Sequence, residues 1–295
     1  MPRPTWTRRG TPDPLGRSRV TTRQAPRPTS RQTMLTMESD NFTGERPGWG
    51  ADFDYDEARH LAAYIDAAGL AKGRRVLDAG CGEGFGTQTL AATAADVTGV
   101  DYSADAIGFC LKRWDAPRLS FRQVDLTAPG DFTDTFDLVL NFQVVEHIDD
   151  ATPFIEGLRE RVAPGGQLML TTPNRLKTFS ENPYHVREYT RDELAALLGN
   201  VFSKVEILGM HGNEKVSSFD RGREKAVHRI LRLDPLGIRN LLPRKVIELA
   251  FAKLAVIVRR QARDDSAADT IVPADFFVSG ANVDEALDLV ALCRP

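Results

Sequence analysis

The sequence predicts a doubly wound α/β domain with a mainly parallel sheet, and three observations carry that prediction. Apolar runs of strand length alternate with runs of helical period through most of the chain. A glycine-rich turn, Gly80 to Gly86, joins one such strand to the helix after it. Polar residues recur at the ends of successive strand-like runs: Asp78, Asp101, Asp125 and Asn141. In parallel sheets that is the edge where ligands bind.

The elements follow in order. Asp54 to Ala68 reads as a helix with Ala58, Leu61, Ala62, Ile65 and Ala68 on one face. Strand "RRVLDA" begins at Arg74, a helix opens at Gly86, strand "DVTGVD" begins at Asp96 and a second helix opens at Ser103. "LSFRQV" from Leu119 and "FDLVLNF" from Phe136 read as two more strands. A helix opened by Thr152 and Pro153 leads to strand "QLMLTT" from Gln167. Thr190 with Glu193 three residues on forms a capping box for the next helix, and strand "FSKVEIL" follows from Phe202. Residues 210–270 read as a helical, basic insertion, and "ALDLVALC" as a last strand, antiparallel at or near an edge. No internal repeat is visible.

Composition bounds the function. A chain of 295 residues, 42% of them apolar, can bury a full core. Three cysteines (Cys81, Cys110, Cys293), with no C-x-x-C pair, argue against a disulfide scaffold or a zinc ribbon and fit a reducing cytoplasm. No apolar run reaches membrane-spanning length, and a cytoplasmic protein is expected.

The net charge of -3 hides strong segregation. Residues 1–37 carry eight arginines against Asp13, with Pro, Thr and Ser between them and no apolar period. They read as a disordered basic tail, as upstream sequence translated from too early a start with Met34 or Met37 the true beginning, or as a targeting segment that its prolines make a poor helix. Residues 221–263 hold twelve bases against Glu224, Asp234 and Glu248. Within them Ile247, Leu249, Ala250, Leu254 and Ile257 recur near helical spacing, which reads as an amphipathic lid helix. Its basic face is either solvated or turned to an anionic acceptor or, peripherally, to a membrane surface. Nucleic acid is not expected as a partner, because no aromatic platform is interleaved with the bases.

"VLDAGCGEGFG", Val76 to Gly86, is the most informative segment. Its glycines let backbone approach a ligand, but G-x-G-x-x-G alone is shared with nicotinamide-binding domains. Asp78 discriminates: a carboxylate there repels a pyrophosphate and suits the ammonium group of a bound amino acid. Asp101, about 20 residues past the glycines, suits both hydroxyls of an adenosine ribose. Asp125 suits an adenine amino group, and "NFQVVEHI", Asn141 to Ile148, lies after the fourth strand.

In this order and spacing the four segments resemble the motifs of class I S-adenosylmethionine-dependent methyltransferases. The resemblance covers residues 74–208 and the last strand. It implies a Rossmann-like, seven-stranded sheet over a methyltransferase domain of residues 38–295, and S-adenosyl-L-methionine as cofactor. It places Asp78, Gly80 and Gly82 at the methionine end, Asp101 at the ribose, and Asp125 and Leu126 at the adenine; Cys81, Tyr102, Asn141 and Phe142 are further candidate cofactor contacts, the last two beside the methionine part. "TGERPGWG" from Thr43, "TTPNR" from Thr171 and "NPYHVREYTRDEL" from Asn182 resemble the bacterial subgroup acting on sugars, glycans and secondary metabolites. There Pro47-Gly48-Trp49-Gly50 departs from the subgroup's pattern.

Methyl transfer from a sulfonium is an in-line displacement, and a base is needed only where the acceptor must lose a proton. His185 is the candidate base, beside the alternative that it packs its loop against Tyr184 and Tyr189; His147, after Glu146, is the second candidate. Glu45, Arg46, Tyr184 and Arg187 are candidate acceptor contacts. No His, Asp and Glu set has the spacing of a catalytic ion site, so no metal is expected. The reading is transfer to a hydroxyl of a small-molecule acceptor, with no obligate protein partner. A methyltransferase acting on RNA or protein, a non-catalytic cofactor-binding module and a nicotinamide oxidoreductase stand as alternatives.

Overall fold

The computed structural model describes residues 54–178, 182, 184–231 and 271–295. Helix α1 (Asp54–Ala71) is followed by β1 (Arg75–Ala79), α2 (Phe85–Leu90), β2 (Asp96–Asp101), α3 (Ala104–Arg113), β3 (Leu119–Gln123) and β4 (Phe136–Phe142). Then come α4 (Ala151–Glu160), β5 (Val162–Pro173), α5 (Arg191–Gly199), β6 (Lys204–Gly212), α6 (Glu214–Leu231), β7 (Phe276–Ser279) and β8 (Asp288–Arg294). The strands form one sheet in the order β3-β2-β1-β4-β5-β8-β6-β7.

Neighbours from β3 to β5 are parallel, as the crossover helices require. Strand order reverses between β1 and β4, and this switch point opens the crevice at their carboxyl ends. The sheet's alternation divides the core. Leu138, Leu140 and Phe142 of β4 face a cluster that includes Tyr64 of α1, Leu90 of α2 and Phe219 of α6. Val139 faces the opposite cluster, with Phe154, Leu158, Leu194 and Leu198 of α4 and α5.

Three expectations need correction. The sheet has eight strands rather than seven, because β7 adds an antiparallel edge beside β6. Four residues ahead of Gly280 are too few for a period to register. The last strand lies inside the sheet, antiparallel to both β5 and β6. Leu289, Val290, Ala291 and Cys293 are all buried there, and a continuous apolar run is the mark of a strand covered on both faces. Ile65 is 49% exposed, and the inner face of α1 is carried instead by Tyr55, Ala58, Ala62, Tyr64, Ala67 and Ala71. The capping box at Thr190 and Glu193 forms as expected.

The expected insertion opens with the end of β6 and with α6. Arg223, one of its twelve bases, is spent inside the domain. Its guanidinium lies 4.8 Å from the Tyr55 ring centre and 3.4 Å from Asp220. Tyr55 in turn donates to Asp220 at 2.8 Å, and Arg59 donates through Nε to Asp288 at 2.5 Å and through its terminal nitrogen to the Leu287 carbonyl at 3.0 Å. This network ties α1 to α6 and β8, with each charge meeting its opposite. The amphipathic run Ile247 to Ile257 and the N-terminal tail lie outside the described residues. No described helix is long and apolar enough to cross a membrane.

Gly86 of α2 lets the Tyr64 ring of α1 lie close against it. A Cβ there would sit 2.0 Å from the Tyr64 ring. Gly86→Ala gains helix propensity worth at most about 1 kcal/mol, yet it should destabilise the fold by about 1–3 kcal/mol through overpacking. A lowered midpoint in thermal or urea unfolding checks this; an unchanged midpoint would mean that Tyr64 is not held where the structure places it.

Candidate functional site

The carboxyl end of β1 delivers Asp78, fully buried, beneath the glycine turn. Its Oδ2 accepts from Thr87 of α2 at 2.6 Å, and its oxygens accept from Tyr64 at 3.1 and 3.2 Å. Burial pushes the carboxyl up to about 6, although the hydrogen bonds from Thr87 and Tyr64 act to lower it. Gly80, at φ +89°, must lack a side chain because a Cβ would meet Val144 at 2.4 Å. That contact seats the loop after β4 directly on the glycine turn. Gly82, at φ +53°, faces open space in which a Cβ would meet nothing within 4 Å.

Asp101 ends β2. Its Oδ2 accepts from the Gly82 N–H and its Oδ1 from the Ser103 N–H, both at 2.9 Å. The Gly84 N–H is likewise spent, on the Cys81 carbonyl at 3.0 Å. The Gly82 and Gly84 amides are thus spent within the turn, and two carboxylates lie against it, an arrangement that suits a cationic ligand better than a pyrophosphate. Asn141 supplies an independent sign of a ligand. Its Nδ2 donates to the Ala79 carbonyl at 2.8 Å, and its buried Oδ1 has no protein donor. A buried acceptor of this kind costs free energy unless a ligand or water satisfies it.

The remaining cofactor candidates are placed as follows. Cys81 is buried, with its sulfur 3.7 Å from the Gly82 carbonyl and Cys110 at 3.3 Å from the same oxygen. Tyr102 is 72% exposed beside Asp101. Asp125 is exposed and closes a turn with Oδ1, accepting from the Thr127 hydroxyl at 2.7 Å and N–H at 2.9 Å; these bonds hold it below its ordinary value. Leu126 is half-buried against the core. Phe142 packs edge-on against Tyr64, ring centres 4.8 Å apart, on the core side of β4.

Beyond β4 the chain makes a single helical turn, Val145–His147. The fold brings Glu146 and His147 against His185 from the loop after β5. Backbone bonds from Val186 and Arg187 to the Glu146 carbonyl, at 2.8 and 3.2 Å, pin that loop in place. The two imidazole rings meet edge to face at 5.0 Å. His185 Nδ1 lies 2.6 Å from Glu188 and its Nε2 accepts from Asn182 at 2.9 Å; His147 Nδ1 donates to the Tyr184 carbonyl at 3.0 Å. Burial works to raise the Glu188 carboxyl, but its bonds from His185 and Thr178 outweigh burial and hold it below the ordinary value. Glu146 is buried, accepts from Thr172 at 3.0 Å and is pushed by burial up to about 7.

Tyr184 is half-buried in this loop, while Arg187 is exposed, its guanidinium 5.1 Å from the Tyr189 ring centre. Glu45 and Arg46 lie outside the described residues. Sequence reasoning missed Tyr64, Thr87, Glu146 and Glu188. Only Glu146 left a signal, as an acid between buried apolar residues and a histidine.

The comparisons agree with this geometry. The family profile described as a methyltransferase domain matches residues 53–204, just over half of the chain. A probable S-adenosylmethionine-dependent methyltransferase of Mycobacterium tuberculosis is 36% identical over 187 residues, spanning 61% of this chain and 67% of that protein. A ubiquinone biosynthesis O-methyltransferase of Rhizobium leguminosarum is 40% identical over 106 residues, 35% of this chain and 42% of its own. Among solved structures, the [4+2]-cyclase SpnF superposes with a TM-score of 0.52 at 20% identity, covering 87% of this chain and 86% of its own. That likeness shows the fold alone. The chain belongs to the methyltransferase domain family, as an S-adenosylmethionine-dependent enzyme. S-adenosylmethionine brings a sulfonium whose methyl group is open to nucleophilic attack.

Asp78 gives the site a pH dependence. Its folded value, about 6, lies above the ordinary 3.8, so the folded chain holds this proton more tightly than the unfolded chain does. Its contribution to stability is fully present below the ordinary value and is lost as pH rises through about 6, a cost of about 3 kcal/mol. A cationic ligand favours the ionised form. Affinity for S-adenosylmethionine should therefore fall as pH drops below about 6, and Asp78→Asn should bind more weakly and without that slope. Calorimetric titration from pH 5 to 8 checks this; a flat wild-type profile would remove Asp78 from the binding equilibrium.

Proposed function

We propose that the enzyme transfers the methyl group to a hydroxyl of a small-molecule acceptor, a sugar-containing or other secondary metabolite. The single observation that carries this reading is the histidine pair at the carboxyl edge of β4. His147 follows the loop whose Val144 touches Gly80, His185 meets it from the loop after β5, and Glu188 holds the second imidazole through Nδ1, which leaves Nε2, now accepting from Asn182, as its basic nitrogen. A hydroxyl is a poor nucleophile until it loses its proton, and a neutral imidazole oriented by a carboxylate is suited to take it.

Asp78, Gly80, Cys81, Gly82, Asn141 and Phe142 are assigned to the methionine end of the cofactor, Asp101 and Tyr102 to the ribose, and Asp125 and Leu126 to the adenine. Tyr184 and Arg187, with Glu45 and Arg46 from the preceding segment, are assigned to the acceptor. The O-methyltransferase named among the relatives supports oxygen as the acceptor atom. Residues 221–263 favour an anionic acceptor, and a peripheral membrane contact through the same bases is the second reading of that segment.

His185→Gln should cut turnover by about 10² to 10⁴ and leave donor affinity nearly unchanged. The assay is a screen of hydroxylated metabolites with isotopically labelled donor, followed by kinetics on the acceptor found. Full turnover by the variant would return His185 to a packing role.

A further inference from the structure

The cluster beside the glycine turn is built more like a metal site than a lone base requires. One ligand atom from each of Glu146, His147 and His185 lies within 4.8 Å of the others. Bonds of about 2.0–2.2 Å to a common ion place ligand atoms roughly 3–4.4 Å apart, so a small contraction would close the set. Imidazole and carboxylate together suit first-row divalent ions, and two histidines with one carboxylate leave positions open for a further ligand.

The surroundings repeat the pattern that metal-bound histidines require. A ligating imidazole donates its other N–H to a carboxylate or a backbone carbonyl, which fixes the tautomer and aims the lone pair. His185 meets the Glu188 carboxylate through Nδ1, and His147 meets the Tyr184 carbonyl through Nδ1. Each contact assigns the lone pair to Nε2. The third group is held as well, since Thr172 donates to Glu146 Oε2. Glu188 is itself anchored by Thr178, and the loop carrying His185 is bonded through two amides to the Glu146 carbonyl. The ligands come from segments 38 positions apart, and folding alone assembles them.

We propose that Glu146, His147 and His185 bind one divalent first-row transition ion at the acceptor side of the active site. To reach His185 the ion displaces one hydrogen bond, from Asn182 Nδ2 to Nε2. The ion's open positions take the acceptor's oxygen, whose proton becomes more acidic on binding and passes to solvent water. In that state both imidazoles serve as ligands, and the ion replaces His185 as the group that activates the hydroxyl. This role rests on the function proposed above, whereas ion binding is independent of it.

The full-length chain, stripped with a chelator and dialysed, is titrated with Co²⁺ in the absence of donor and acceptor. The visible absorption of bound Co²⁺ and the metal content after dialysis are recorded. One Co²⁺ per chain is expected, displaced by Zn²⁺ and insensitive to Mg²⁺. His147→Ala and His185→Ala should each abolish the band. Glu188→Gln, which keeps all three ligands, should weaken binding about 10- to 100-fold. His211→Gln, outside the cluster, should bind like wild type. Thermal midpoints identify any variant that fails to fold, and the Glu188→Gln result then decides. Absence of a stoichiometric ion in wild type, or binding unchanged in Glu188→Gln and in folded histidine variants, would overturn the proposal. Loss of turnover in His185→Gln without any bound ion would refute the metal site alone, and bound ion with no transfer to any hydroxyl would refute the function alone.

Discussion

Everything at this site depends on two aspartates being held against one glycine turn. Asp101 accepts the N–H of Gly82 and so closes the turn from the side of β2, while Asp78 sits beneath it, bonded to Tyr64 and Thr87. The arrangement brings two carboxylates and a bare backbone to the edge of the crevice. Gly80, Gly82 and Gly84 all take positive φ, and Asp78 bears the cost of burial in its raised protonation equilibrium. A ligand that carries an ammonium group favours the ionised carboxylate, which the pyrophosphate of a dinucleotide does not.

The same constraint reaches outward through packing. Tyr64 can bond Asp78 only because Gly86 lacks a side chain and Phe142 supports its ring. Phe142 ends β4, so the strand that carries Asn141 and the loop that carries Glu146 and His147 are set by the same contact. The loop carrying His185 is fixed by a different link, the bonds from Val186 and Arg187 to the Glu146 carbonyl. The glycine turn and the histidine cluster therefore meet at one short segment, Asn141 to His147, and a shift there moves both.

The β1 strand, the glycine turn and α2 were legible in the sequence because their residues are local. A strand, a glycine turn and an acid at each strand end appear as contiguous words, and the capping box at Thr190 and Glu193 is legible for the same reason. What was lost is what depends on distance along the chain. Glu188 orients His185, and Glu146 and His147 join it, only after β4 and β5 pair side by side. The inner place of β8 was misjudged although its unbroken apolar run signalled it, and β7 is too short to signal anything. Ile65 was assigned to the core by period alone. The face of α1 that turns inward is chosen instead by Tyr55 and Tyr64, each of which has a buried carboxylate to meet.

The measurement that bears most directly on this account is the affinity of Asp101→Ala for S-adenosylmethionine. On the proposed placement of the ribose, removal of the carboxylate deprives its two hydroxyls of a charged acceptor and frees the Gly82 N–H, a loss of roughly 1.5–3 kcal/mol. Calorimetry should therefore show affinity weakened by about tenfold or more in a chain that keeps its fold by circular dichroism. Wild-type affinity in the folded variant would contradict the account, because the nucleoside would then lie somewhere other than the crevice between β1 and β2.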